Sequence, residues 1–319
     1  MTNSITLAAE EIAACCLYGP SAVNFKTQLD QTVYRIELIA PWGIKSGERI
    51  LEIGCGQGDA TTILATAVGE TGHVTAVDPA PLDYGERGLY CGDSLVLIYK
   101  RTVGSPYTLG QAQAHISAGP LGSRITWVQS DPLSHLASLP APSPDQPKPY
   151  DLIVFVQSSW YFSSPASLAE TIAALTPYAK RLGIAEYSLH TNQMLATPHV
   201  LAVLTEAALE VHKPVSSSNV RTVVSPRVLK EMVKESGWEL EKEFIVVPKE
   251  GQHEGTWETS TVVSQGYLKQ IEEALREKER ERIMILALRD ATIVSTEQAG
   301  GTRNVRTMDV WSAMFVLSK

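Results

Sequence analysis

Cysteine is scarce, with four in 319 residues: Cys15, Cys16, Cys55 and Cys91. None falls in a C-x-x-C pair, and adjacent cysteines do not normally bridge each other. A reduced, cytoplasmic protein without a metal site is therefore the simpler expectation. Basic tracts are also missing. The formal net charge is -8, and the Lys and Arg of 276–282 alternate with Glu. Phosphate backbones need a concentrated basic surface, so no nucleic-acid partner is expected. No run approaches the ~18 apolar residues that span a bilayer, so no membrane association is expected. Glu10 and Glu11 stand where a signal peptide would carry a basic segment and an apolar run, and none is expected. What is plentiful is core material: 44% of residues are hydrophobic and 19% charged, the balance of a packed globular chain.

Strand and helix patterns alternate along most of the sequence. Residues 1–48 read as an N-terminal helical cap, with helices near 6–17 and 26–40 and a turn at Pro41-Trp42-Gly43. Residues 49–53 are an apolar run stopped by glycine, which suits a buried parallel strand. A helix over 59–68 and a strand over 73–77 complete a strand–helix–strand unit. Further strands read at 124–129, 151–156, 181–187, 238–247 and 309–317, with helices at 165–178, 200–211 and 226–236. This alternation predicts an α/β fold: a doubly wound, mostly parallel, seven-stranded sheet over 49–319. Three insertions interrupt it. At 85–106, Leu95-Val96-Leu97-Ile98-Tyr99 makes a strand with no obvious place; a true insertion and an artefact of gene reading are both open. A second insertion covers 191–225. The third, 255–294, carries a helical insertion before the last strand, with a charged helix over 265–288. Its Glu-Lys-Glu-Arg-Glu-Arg run reads as a solvated face, with a lid or a homodimer contact as the sharper alternatives. Five prolines in 140–149 predict an exposed, extended loop.

The chemistry concentrates at Glu52-Ile53-Gly54-Cys55-Gly56-Gln57-Gly58-Asp59, between a strand and a helix. A turn that reverses there and approaches a ligand needs residues without a Cβ, and the next helix aims its N-terminal N–H groups at that ligand. The glycines at 54, 56 and 58 give G-x-G-x-G, whereas dinucleotide folds have G-x-G-x-x-G. A P-loop would end in Gly-Lys-Ser/Thr, which is missing. Glu52, two residues before the first glycine, suits a cationic ligand and would repel a pyrophosphate. Asp78 closes the second strand, where a carboxylate accepts from ribose hydroxyls. Asp131 follows the third strand and is a candidate acceptor for an exocyclic amine.

These residues closely resemble the class I family of methyltransferases that use S-adenosylmethionine (SAM). The 51–58 segment looks like its first motif, Ala76-Val77-Asp78-Pro79 its second, Gln129-Ser130-Asp131-Pro132 its third and Tyr150-Asp151-Leu152-Ile153-Val154 its fourth. The likeness covers roughly 45–190 and, more loosely, the strands at 238–247 and 309–317. It implies a Rossmann-like methyltransferase fold, SAM as cofactor and S-adenosylhomocysteine (SAH) as product. Cofactor contacts would come from Glu52, Gly54, Cys55, Gly56, Gly58, Asp78, Pro79, Asp131 and Pro132, with Gln157 beside the sulfonium. Tyr18, Tyr34 and Trp42 are weaker candidates from the N-terminal cap.

Methyl transfer from a sulfonium mainly requires alignment and exclusion of water. A general base is needed only when the acceptor keeps its proton. The stretch from Gln157 to Phe162 departs from the Asn/Asp-Pro-Pro-Tyr motif of enzymes acting on nucleic-acid bases or protein amides. Its aromatics, Trp160, Tyr161 and Phe162, could line an apolar acceptor pocket or pack the base of the following helix. The second wall of that pocket is expected from Glu186-Tyr187-Ser188-Leu189-His190 at the end of the fifth strand, where His190 is the candidate general base. Tyr161 is a second catalytic candidate, and His199 and His212 read as surface or capping residues. The expected function is methylation of O, N, C or S on a small, apolar or aromatic metabolite, with secondary metabolism as a setting. A SAM-binding fold with pericyclase or cyclase activity and a regulatory protein docking through 265–288 stay open as alternatives.

Overall fold

The computed structural model describes residues 2–19, 21–85, 107–141, 143, 146–213, 216, 218 and 220–318, with side chains from residue 8 onward. The strand candidate at 95–99 lies outside the described residues. Seven strands form one sheet in the order β3-β2-β1-β4-β5-β7-β6. They are β1 (Arg49–Ile53), β2 (His73–Asp78), β3 (Ile125–Gln129), β4 (Leu152–Val156), β5 (Arg181–Tyr187), β6 (Trp238–Val246) and β7 (Val310–Leu317). β1 pairs in parallel with β2 and β4, β2 in parallel with β3, and β6 antiparallel with β7. The expected α/β, mostly parallel, seven-stranded sheet is what the chain forms.

Contacts divide the chain into two compact units. The first comprises Met1–Val156 with Pro177–Gly183. Its helices are α1 (Thr2–Ala14), α2 (Ala22–Ile39), α3 (Asp59–Val68), α4 (Leu109–Ala118) and α5 (Pro132–Ser138). Both N-terminal helices begin about one turn earlier than the sequence pattern suggests. Ser21 explains the start of α2, because its hydroxyl accepts from the Asn24 N–H at the N-cap. β1 and β4 form the core: Ile50, Leu51, Leu152, Ile153, Val154 and Phe155 are fully buried, each contributing roughly 1.5–3 kcal/mol of apolar burial. β1 borders strands on both sides, and the strand order reverses between β1 and β4. In open α/β sheets ligands bind at such a reversal, outside the carboxyl ends of the strands.

The second unit comprises Gln157–Thr176 and Ile184–Lys319. Its helices are α6 (Pro165–Ala174), α7 (Thr197–Glu210), α8 (Pro226–Glu235), α9 (Glu254–Val263), α10 (Gln265–Ala274) and α11 (Glu279–Gln298). The single helix expected over 265–288 is thus corrected to parts of two helices, broken between Ala274 and Glu279. Leu275 leaves the helical conformation (φ -121°, ψ 26°) and is fully buried, in a cluster with Leu209, Val262, Tyr267, Ile271 and Ile285. The buried Arg289 guanidinium donates to the carbonyls of Val262, Val263 and Ser264. A cation thereby satisfies the orphan carbonyls at the end of α9. The charged run at 276–281 is exposed, as expected of a solvated face.

Candidate active site

In the first unit the loop after β1 takes the strained path that its glycines permit. Gly54, Gly56 and Gly58 have φ of 78°, 52° and 98°, a region costly for residues with a Cβ. The Gly54 and Cys55 N–H groups both donate to the Val77 carbonyl (2.8 and 3.2 Å), and Gly58 N–H donates to Cys55 (3.0 Å). The Gly56 N–H donates to Asp78 Oδ2 (2.8 Å) and the Ala80 N–H to Oδ1 (2.9 Å). Asp78 therefore ties the glycine loop to the end of β2. A Cβ on Gly56 would meet nothing within 4 Å, so the backbone there borders open space. A Cβ on Gly58 would lie 2.7 Å from Ile116 and Trp127, so that glycine serves close packing. No side chain caps α3 at Gly58, which leaves first-turn N–H groups for a ligand.

Asp131 and Glu52 have separate local tasks. Asp131 is exposed and caps α5, accepting from the Ser134 N–H (3.0 Å). The Ser134 hydrogen bonds hold its carboxyl below the ordinary range. Pro132 occupies the first turn of α5 and is buried, whereas Pro79 is exposed. Pairing of Asp78 with Gln129 brings the loop after β3 beside the end of β2. Glu52 is buried and accepts from the Thr61 hydroxyl (2.6 Å). Burial pushes its carboxyl up to about 7, against the Thr61 hydrogen bond. Cys55 is buried too, and burial raises its thiol well above the usual value.

A second cluster lies within the other unit. Gln157 takes φ 54°, unusual for a residue with a side chain, and its N–H donates to Ala185 (2.8 Å). The buried Glu186 accepts from the Ser159 hydroxyl (2.6 Å) and the Tyr187 N–H (3.0 Å). Burial raises its carboxyl to about 7, opposed by those hydrogen bonds. Trp160 is buried, donates from Nε1 to the Val224 carbonyl (3.0 Å) and packs on Tyr187. Tyr161 is 45% exposed. His190 is exposed after β5, on the opposite side of Leu189 from Ser188. A cleft of about 370 Å³ in this unit is lined by polar groups including Glu250, His253, Arg303, Asn304 and Arg306, which does not suit an apolar ligand.

Residues 27–243 match a family model described as a methyltransferase domain. That match covers more than half of the chain and decides its membership. The chain belongs to the methyltransferase domain family. Methyltransferase phomM of Diaporthe leptostromiformis is 26% identical over 299 residues, covering 83% of this chain and 72% of the relative. Methyltransferase phomM' of the same organism is 26% identical over 300 residues, with the same coverage. The crystal structure of a cyclopropane-fatty-acyl-phospholipid synthase-like protein from Lactobacillus casei is similar over 97% of this chain and 98% of its own. Its TM-score is 0.77 and its sequence identity 27%. The chain is a SAM-dependent methyltransferase.

In this methyltransferase the predicted cofactor residues of the first unit divide by exposure. Gly54, Gly56, Asp78, Pro79 and Asp131 border or approach the surface at one end of the parallel strands, whereas Glu52, Cys55, Gly58 and Pro132 are buried supports. Tyr34 and Trp42 are 3% and 1% exposed and Tyr18 packs on Phe25, so all three have packing roles. His199, expected as a surface or capping residue, is fully buried, which corrects the surface reading. Its Nδ1 accepts from the Met308 N–H (2.9 Å), which leaves Nε2 to donate to Glu258 (2.6 Å). Asp309 has no place among the sequence candidates, and Glu186 enters them only as the first residue of the strand-end stretch that leads to His190. Among the described residues, no group of three or more His, Cys, Asp or Glu is arranged to hold a metal ion. No helix among them is long and apolar enough to cross a membrane.

Proposed function

We propose that this methyltransferase binds SAM at the 54–58 loop and methylates a small, apolar or aromatic metabolite. The carrying observation is the open space at Gly56, where φ is 52° and nothing lies within 4 Å of a Cβ position. A backbone so placed fits a ligand that approaches closely, and the uncapped N-terminus of α3 fits a carboxylate such as that of a methionine moiety. Asp78 retains acceptor capacity beyond its two backbone hydrogen bonds and suits the ribose hydroxyls. Asp131, exposed after β3, is the candidate acceptor for the adenine amine while it caps α5. Glu52 acts at one remove: its protonated or charged carboxyl braces Thr61 and the start of α3. SAM supplies an electrophilic methyl group on a sulfonium.

The acceptor reading rests on the second cluster. Gln157 and the exposed Tyr161 are the candidates for direct contact, and His190 for the base. Trp160 supports that wall from behind, through Val224 and Tyr187. The Lactobacillus casei protein is named after fatty-acyl phospholipid, and an apolar acceptor here is in keeping with that name. The acidity of the chain, -8 overall, disfavours nucleic acid as acceptor. A homodimer remains compatible with the exposed 276–281 run. The test is incubation of the protein with SAM and a panel of phenols, fatty acids, amines and thiols, following SAH by mass spectrometry. SAH formed only in the presence of an apolar acceptor supports the proposal; transfer confined to polar or macromolecular acceptors contradicts it.

A further inference from the structure

His190 is exposed, yet its backbone is held from several sides within one unit. The Ser188 hydroxyl accepts from the His190 N–H (3.2 Å) and donates to the His190 carbonyl (2.9 Å). The Asp309 N–H also donates to that carbonyl (3.3 Å), and the Ser188 N–H donates to the Asp309 carbonyl (2.9 Å). Between them Leu189 takes φ 55°, a conformation that a branched side chain adopts at a cost and that concentrates at functional turns. The result sets the imidazole over Asp309, with Nδ1 3.9 Å from Oδ2. The next residue back, Met308, is anchored in turn by the buried His199.

Asp309 is a buried acid, 2% exposed. Among the described residues its Oδ1 has no hydrogen-bond partner, an unusual state for a buried carboxylate oxygen. Thr191 and the Asn192 N–H donate to this carboxylate, and burial raises it above the ordinary aspartate range while His190 acts against that rise. From the β7 side the charged group facing His190 is Asp309. From its own segment the neighbours are Ser188, Thr191 and Asn192, none of them ionisable at neutral pH.

We infer that Asp309 is a positioning residue that fixes His190 as a base for an acceptor with a hydroxyl group, a reading that rests on His190 being the general base. A small side-chain rotation closes the 3.9 Å gap to a hydrogen bond from Nδ1–H to the carboxylate. Nε2, on the opposite edge of the ring, is then the free base. The acceptor hydroxyl proton passes to Nε2, and the oxygen lone pair forms the C–O bond to the methyl carbon. The C–S bonding pair stays on sulfur, leaving SAH, and Asp309 offsets the charge of the imidazolium until water takes the proton. An amine free base or a thiolate would not need this arrangement, so the dyad selects for oxygen acids such as phenols.

The test uses full-length protein labelled with ¹⁵N-histidine. Long-range ¹H–¹⁵N spectra are recorded against pH, with His190 assigned by its loss in His190→Gln. The expected result is that neutral His190 carries its proton on Nδ1 in the wild type and on Nε2 in Asp309→Asn. A wild-type His190 protonated on Nε2 overturns the inference, and that result needs no variant to fold. The underlying base reading is judged separately, with SAM and 2-naphthol as probe. His190→Gln and Asp309→Asn should both slow SAH release by about 10-fold or more, with SAM affinity unchanged. A wild-type rate in His190→Gln sinks the base and the dyad together. A loss in His190→Gln with none in Asp309→Asn leaves the base standing and removes Asp309.

Discussion

Gly56 and Gly58 lie two residues apart in one loop, and the structure assigns them opposite consequences on substitution. Gly58→Ala places a methyl group 2.7 Å from Ile116 Cδ1 and from Trp127 Cη2. The isoleucine end can turn away. The indole cannot easily do so, because its Nε1 donates to Ser117 Oγ (2.9 Å). Overpacking of this kind costs ~1–3 kcal/mol, and a non-glycine residue at positive φ adds ~1–2 kcal/mol. Gly58→Ala should therefore lose about 2–5 kcal/mol, a fall in Tm of roughly 3–8 °C for a chain of 319 residues. Gly56→Ala incurs the backbone cost alone, ~1–2 kcal/mol, because no atom lies within 4 Å. Its methyl group instead enters the space assigned to the cofactor, and a ~1–3 kcal/mol clash there weakens binding by about 5-fold to 150-fold. Thermal melts by circular dichroism and calorimetric titration with SAM measure both effects. Equal melting losses in the two variants, or wild-type SAM affinity in Gly56→Ala, would show that the two glycines do not divide packing and binding in this way.

Two further expectations concern buried polar groups. Glu52 and Glu186 are both held near 7 by burial, against an ordinary 4.5. The folded state then binds more protons between those values, so their contribution is full below about 4.5 and is lost as pH rises through about 7. Tm should fall from pH 5 to pH 8, and Glu52→Gln or Glu186→Gln should flatten that slope and exceed the wild type at pH 8; parallel slopes would count against it. His199→Phe leaves the Met308 N–H and Glu258 without their buried partner and should cost about 2–4 kcal/mol in urea denaturation. A change under about 0.5 kcal/mol would show that neither hydrogen bond matters.

The sequence made the first half of the sheet readable because local signals coincide there. The strand at 49–53 and the helix at 59–68 match the structure in both bounds, since a buried apolar run meets glycines and then a helical pattern. The same coincidence located Asp78, whose link to Gly56 follows from the register of neighbouring parallel strands. Other features depend on partners distant in sequence. His199 lies in an apolar helix, and nothing nearby signals that Glu258 and Met308 will enclose it. Glu186 is an ordinary strand-end acid until Ser159 folds back on it. The break after Ala274 is not legible because the charged, helical composition continues across it, while the burial of Leu275 decides it. Asp131 followed by Pro132 is a helix-start signature, so the cap of α5 is legible in the sequence beside the expected ligand role.

The cofactor assignment turns on Asp78, which links the glycine loop to β2 and is expected to receive the ribose. Calorimetric titration of SAH into the wild type and into Asp78→Ala, each verified as folded by circular dichroism, tests it most directly. The expected result is one equivalent bound by the wild type, and affinity weakened at least about 10-fold in the variant. No binding by the wild type, or the same affinity in both, would contradict it.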